Sequence, residues 1–172
     1  MSAQPLENSL DDLFGKQAPQ LPSNAKKALV QYVPWITLIL GVLSAWTTYV
    51  LWHWAHVANT FVNYANSISA AYGGPQIATT RLTFGIWLGI GVLAVEALLY
   101  ILAFPGLRNR KKSGWNMLYY ALLINIVYGL VIMFTDYGGV GNLIGTLIGS
   151  AIGFYFLFQI RGSYTGAKAK KA

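Results

Sequence analysis

The chain contains no cysteine. Disulfides, thiolate metal sites and cysteine nucleophiles are therefore excluded. Charge is scarce too: 10% of the 172 residues are Asp, Glu, Lys or Arg, against roughly a quarter in an average soluble domain. There are two histidines and only five acidic residues. No H-E-x-x-H motif, no phosphate loop and no workably placed Ser-His-Asp set occurs. Nothing here supports an enzyme reading, and no cofactor is expected.

What fills the chain instead is apolar. Hydrophobic residues make up 55% of it and the mean hydropathy is +0.48. Several runs are long enough to cross a bilayer, and the length suits one bundle. The net charge of +7 raises a nucleic-acid reading. Its distribution argues against one, because the cations flank apolar runs rather than line a folded surface. They read as topology signals and as contacts to anionic headgroups.

The key stretch is the basic loop from Pro105 to Gly114, which carries Arg108, Arg110, Lys111 and Lys112 between two apolar segments. Loops rich in Lys and Arg resist translocation, so this one is expected on the cytoplasmic side. Alternation then puts Lys16, Lys26, Lys27, Arg161, Lys168, Lys170 and Lys171 on the same side, and Arg81 alone outside. The expectation is an all-α, four-helix transmembrane bundle of the plasma (inner) membrane, with both termini cytoplasmic. Its helices fall at about 28–54, 82–104, 115–134 and 140–160, within a domain of residues 26–161. Residues 1–25 read as a flexible tail and 162–172 as a basic one. Pro34 predicts a kink or a restart in the first helix.

Two short stretches carry a pattern of their own. Leu6, Leu10, Leu13 and Phe14 keep helical spacing, with Glu7, Asp11 and Asp12 elsewhere on the wheel. This is either an acidic amphipathic turn that docks on a cytosolic partner or a solvated tail. The short length favours the tail. Beyond the first helix, Val57, Phe61, Tyr64, Ala65, Ile68 and Tyr72 keep helical spacing, while Asn59, Asn63, Asn66 and Ser67 occupy the other face. That predicts an uncharged amphipathic stretch on the outer face, either continuing the first helix or lying in the interface.

His53 and His56 form an H-x-x-H pair, a spacing that can share a metal on a helix. With no acid or cysteine nearby, they read instead as interfacial imidazoles beside tryptophans. Gly85 and Gly89 form one G-x-x-x-G pair. Gly141, Gly145, Gly149 and Gly153 recur every four residues. Such a stripe predicts a close-packing face, against a helix of the same chain or of another protomer in a homo-oligomer or larger complex.

Glu96 is the one acid inside a predicted span. A carboxylate there is costly, so it should face the bundle interior. Helical rise puts it roughly 12 Å from Phe104, with Asn125 and Ser150 at roughly 15 Å from Trp115 and Ile160. All three share a level, with Thr146 above and Gly41 and Ser44 placed to close the ring. Two readings stay open. One is an interhelical hydrogen-bond clamp in a structural or accessory protein. The other is a proton- or cation-coupled transport site.

The residues Phe104-Pro105-Gly106-Leu107, Lys111-Lys112-Ser113-Gly114-Trp115 and Phe154 to Arg161 resemble small four-helix membrane proteins of candidate-phylum bacteria. The resemblance covers most of the chain beyond the N-terminal tail. It implies four-helix architecture and a bacterial inner membrane, and it brings no activity, cofactor or site residue with it.

Overall fold

A computed structural model describes residues 4–76, 80–135 and 138–165. The side chain of Arg81, and all of Asp136, Tyr137, Lys168, Lys170 and Lys171, lie outside the described residues. The fold is all-α. Helix α1 (Gln4–Leu10) runs into a π-helical turn (Asp11–Gln17). Then come α2 (Ser23–Ala71), α3 (Thr80–Arg108), α4 (Lys112–Ile132), α5 (Val140–Gln159) and the short α6 (Gly162–Thr165). Four helices are long and apolar enough to span a bilayer, and the chain is a multi-pass membrane protein.

The four spanning helices pack in chain order, α2 on α3, α3 on α4 and α4 on α5. Contacts fix their register. Trp35 meets Phe104 and His56 meets Trp87 edge-on, both at 5.3 Å. Gly129 faces Thr146 and Gly153 faces Leu122. The core gathers at the end that carries the basic turn. Trp115 is fully buried there and its Nε1 donates to the Leu157 carbonyl at 2.9 Å. Tyr119, Phe154 and Phe158 surround it, with Leu107, Ile160 and Tyr164 close by. Much of the remaining apolar surface of α2 to α5 is exposed, as lipid-facing helices require.

Several expectations need correcting, and one open alternative is decided. The outer amphipathic stretch continues the first helix: α2 runs unbroken from Ser23 to Ala71. Pro34 neither breaks nor restarts it. The helix stops at Gly73, whose φ of 69° is the left-handed conformation that ends helices, and Gly74 N donates to the Ser69 carbonyl at 2.8 Å. The basic loop is shorter than the sequence suggested. α3 continues through Pro105, whose carbonyl accepts from Asn109 N, and only Asn109 to Lys111 make the turn.

The N-terminal residues are not a solvated tail. Phe14 stacks on Phe154, and Leu10 packs on the same core. Gln159 donates to the Phe14 carbonyl at 3.0 Å and accepts from Leu21 N at 3.2 Å. Arg161 pairs with Glu7 at 2.6 Å and with Asp11 at 2.7 Å. A helix this short is marginal alone, and tertiary packing reverses the balance. The acidic amphipathic face docks on its own chain, with Leu6 and Leu13 left outside.

The glycines divide differently from the sequence pattern. A Cβ on Gly141, Gly145 or Gly149 would meet nothing within 4 Å, so within the chain only Gly153 of that stripe packs tightly. Gly89 approaches the Tyr128 hydroxyl. The closest helix approach lies at the basic turn, where a Cβ on Gly106 would stand 2.6 Å from Gly114 N. Gly114 is more crowded still, between Leu107 N and the Gly106 carbonyl carbon. We predict that Gly114→Ala lowers unfolding stability in mixed micelles by about 1–3 kcal/mol through overpacking. Gly145→Ala should leave the monomer as stable or raise it by up to about 1 kcal/mol through helix propensity.

Candidate functional site

Helix α3 buries Glu96 at 5% exposure, and α4 brings Asn125 against it. Asn125 Nδ2 donates to Glu96 Oε1 at 2.9 Å. The neighbouring contacts of α4 and α5, Gly129 with Thr146 and Leu122 with Gly153, bracket Asn125 and Ser150 and put them level. Ser150 is buried at that level but makes no hydrogen bond to the pair among the described residues. The predicted four-residue cluster is thus a bonded pair, Glu96 with Asn125, beside a buried serine. Gly41 and Ser44 do not close a ring. Gly41 packs on Ile101 and Tyr100 nearer the basic end, and the Ser44 carbonyl accepts from Thr48 Oγ1.

Thr146 belongs to a different feature. It lines a hollow of about 390 Å³ whose walls come from all four spanning helices. Leu51 of α2, Gly89 and Leu93 of α3, Tyr128 of α4 and Asn142 of α5 also line it. Leu93 stands at its edge one turn from Glu96, and Glu96 itself is not part of the lining. Tyr128 and Asn142 are the polar groups that the sequence reading missed. Tyr128 lies one turn from Asn125, which was the available signal. Asn142 lies about two turns along α5 from Ser150, away from the level of Glu96.

The histidine pair has other business. His56 packs on Trp52 and Trp87, with Nδ1 at 3.1 Å from the Trp52 carbonyl, and His53 stacks on Tyr49. No group of three metal-ligating side chains occurs among the described residues. At the basic end, Arg108 lies over the Trp35 ring and Lys112 reaches Glu7 at 3.6 Å. Arg110 and Lys111 sit in the α3–α4 turn.

Chemically, Glu96 and Asn125 form one donor–acceptor link between two helices. Such a bond contributes about 0.6–2 kcal/mol to helix association in a membrane. No family model matches the sequence, and no curated protein or solved structure matches it.

Glu96→Gln keeps an acceptor facing Asn125, whereas Asn125→Ala leaves a buried carboxyl without its donor. We predict that Glu96→Gln stays within about 1 kcal/mol of the parent in unfolding titrations, while Asn125→Ala loses about 1–3 kcal/mol.

Proposed function

We propose that this is a non-enzymatic structural or accessory protein of a bacterial inner membrane that works by assembling with a second copy of itself through α2. The basic end and both termini lie in the cytosol, as the concentration of Lys and Arg at that end supports. The observation that carries the reading is the far end of α2. His56 is level with Trp87, seven residues after the start of α3. Beyond that level α2 continues from Val57 to Ala71, roughly 22 Å at 1.5 Å per residue.

This arm carries an apolar stripe that is exposed among the described residues. Trp54, Val57, Phe61, Tyr64 and Ile68 follow the alternating three- and four-residue spacing of a coiled-coil seam. Phe61 is 72% exposed and Tyr64 66%. Outside hydrocarbon, such a stripe calls for a partner. A second copy fits best. No residue from Ala28 to Thr80 carries a formal charge, so two α2 helices meet without repulsion. Two copies inserted the same way present α2 in parallel about a two-fold axis normal to the membrane. Covering the five seam residues removes roughly 500 Å² from each copy, about 1,000 Å² in all, which approaches the lower range of specific interfaces. The same spacing continues into the membrane through Ile36, Leu40, Leu43 and Val50. A shallow groove lined by His53, His56, Val57 and Thr60 runs beside Phe61 and Tyr64, and it offers a hollow for the facing aromatic side chains. The open Gly141, Gly145 and Gly149 face of α5 fits the same habit of assembly, as a glycine zipper against another helix.

The second reading is a small proton- or cation-coupled transporter or channel using Glu96. The hollow lined by Tyr128, Asn142 and Thr146 favours it, since it reaches within a turn of the carboxyl. Against it, Glu96 is buried and engaged by Asn125. If Glu96→Gln abolishes a proton or cation flux measured in liposomes, the second reading replaces the first.

The absence of native cysteine supplies the background for the main test. We predict that Phe61→Cys forms a disulfide-linked dimer on mild oxidation in native membranes. Asn63→Cys, on the polar face, should stay monomeric. Equal cross-linking at both positions, or none at Phe61→Cys, contradicts the seam.

A further inference from the structure

A second feature concerns a ligand rather than a protein partner. Lys26 and Lys27 near the start of α2, Arg110 in the α3–α4 turn and Ser163 of α6 line one hollow of about 330 Å³, with the buried Val30 among them. No carboxylate lines it among the described residues. The acids of this end are engaged elsewhere: Glu7 with Arg161 and Lys112, Asp11 with Arg161, and Asp12 with Lys16. Lys26 donates to Gln20 Oε1 at 2.7 Å, a neutral partner. Three cations therefore converge on one hollow whose described walls supply no opposite charge.

Three separate features of this place are unfavourable without an anion. Like charges from different segments are brought together. Lys26 closes the first turn of α2 and Lys27 follows it, at the end where the helix dipole already presents positive charge, and no acid sits in that turn to balance them. Arg110 has a φ of 51°, in the left-handed region. Lys111 N donates to the Gly106 carbonyl at 2.8 Å and Arg110 N to the Leu107 carbonyl at 3.1 Å, the paired bonds of a Schellman turn. Arginine thus stands at the position where glycine ordinarily ends a helix. Strain held at a charged residue beside a hollow points to a function for that charge.

The depth also fits. Val30 opens the apolar run of α2, and Trp35 follows little more than a turn later with Arg108 over its ring. This is the level at which headgroups meet hydrocarbon. We propose that the hollow binds the phosphate of an anionic glycerophospholipid. Lys26, Lys27 and Arg110 supply the charge, Ser163 supplies a hydroxyl donor, and Val30 supplies an apolar wall for the glycerol and the first methylenes. One lipid is held per chain, which goes beyond the general attraction of a basic surface for an anionic leaflet.

The test uses the full chain, purified and delipidated in neutral detergent. Native mass spectrometry reads bound lipid while phosphatidylglycerol, phosphatidylcholine or inorganic phosphate is titrated, and thermal unfolding is followed in parallel. We expect one phosphatidylglycerol per chain, bound at least tenfold more tightly than phosphatidylcholine. Lys27→Gln with Arg110→Gly should lose at least tenfold of that preference, while Lys16→Gln, outside the hollow, keeps it. Arg110→Gly alone should be as stable as the parent or more so without lipid, because glycine suits the turn, yet gain less from phosphatidylglycerol. That second variant keeps the test decisive if the double variant folds poorly. Stabilisation by millimolar inorganic phosphate equal to that by the lipid, lost in the same variants, overturns the lipid assignment in favour of a free phosphate. Equal binding of the two lipids, or an undiminished preference in both variants, overturns the site altogether.

Discussion

A formal charge in hydrocarbon is so costly that its placement governs everything else in this molecule. From Ala28 to Thr80 there is none, and between Asp12 and Asp136 the only acid is Glu96. The carboxyl that does enter the membrane is buried and held by Asn125. Most of the charges excluded from the spans collect at one end, and there they organise structure. Arg161 draws Glu7 and Asp11 onto the end of α5, Gln159 fastens Phe14 and Leu21, and the first helix covers a core that centres on Trp115.

Tight packing follows the same gradient. At the basic end, Gly106 and Gly114 let α3 and α4 touch backbone to backbone, and Trp115 fills the space between α4 and α5 while bonding to Leu157. Toward the other end the four helices leave a hollow among themselves, and α2 outruns its neighbours. Packing is dense at one end and looser at the other among the described residues. The proposed lipid phosphate at the basic end and the proposed second copy at the far end both rest on that asymmetry.

The sequence carried much of this. Four apolar runs and the absence of charge within them made the architecture legible, and Glu96 with Asn125 could be paired from helical rise alone. The N-terminal docking was half visible. Leu6, Leu10, Leu13 and Phe14 kept the right spacing, but only the three-dimensional position of Arg161 and Gln159 decides that such a short helix holds. The fourth-helix glycines misdirected attention within the monomer, because a repeat says that a face is narrow and not what lies against it. Gly106 and Gly114 looked like loop residues and hold α3 and α4 backbone to backbone. The convergence of Lys26, Lys27 and Arg110 was hidden for a similar reason, since they lie far apart along the chain and meet only because α2 and the α3–α4 turn end at one level. Of the two placements open for the outer stretch, continuation of the first helix holds, because nothing from Trp54 to Ala71 stops a helix before Gly73.

The account stands or falls on whether the far end of α2 is covered by another copy. Counting subunits by single-molecule photobleaching, with the protein labelled at one site and diluted over a wide range of lipid, measures this directly. The account predicts two copies per spot that persist at high dilution and dissociate when Phe61 and Tyr64 are replaced by serine. Single copies at every dilution, or pairs indifferent to those two residues, would contradict it.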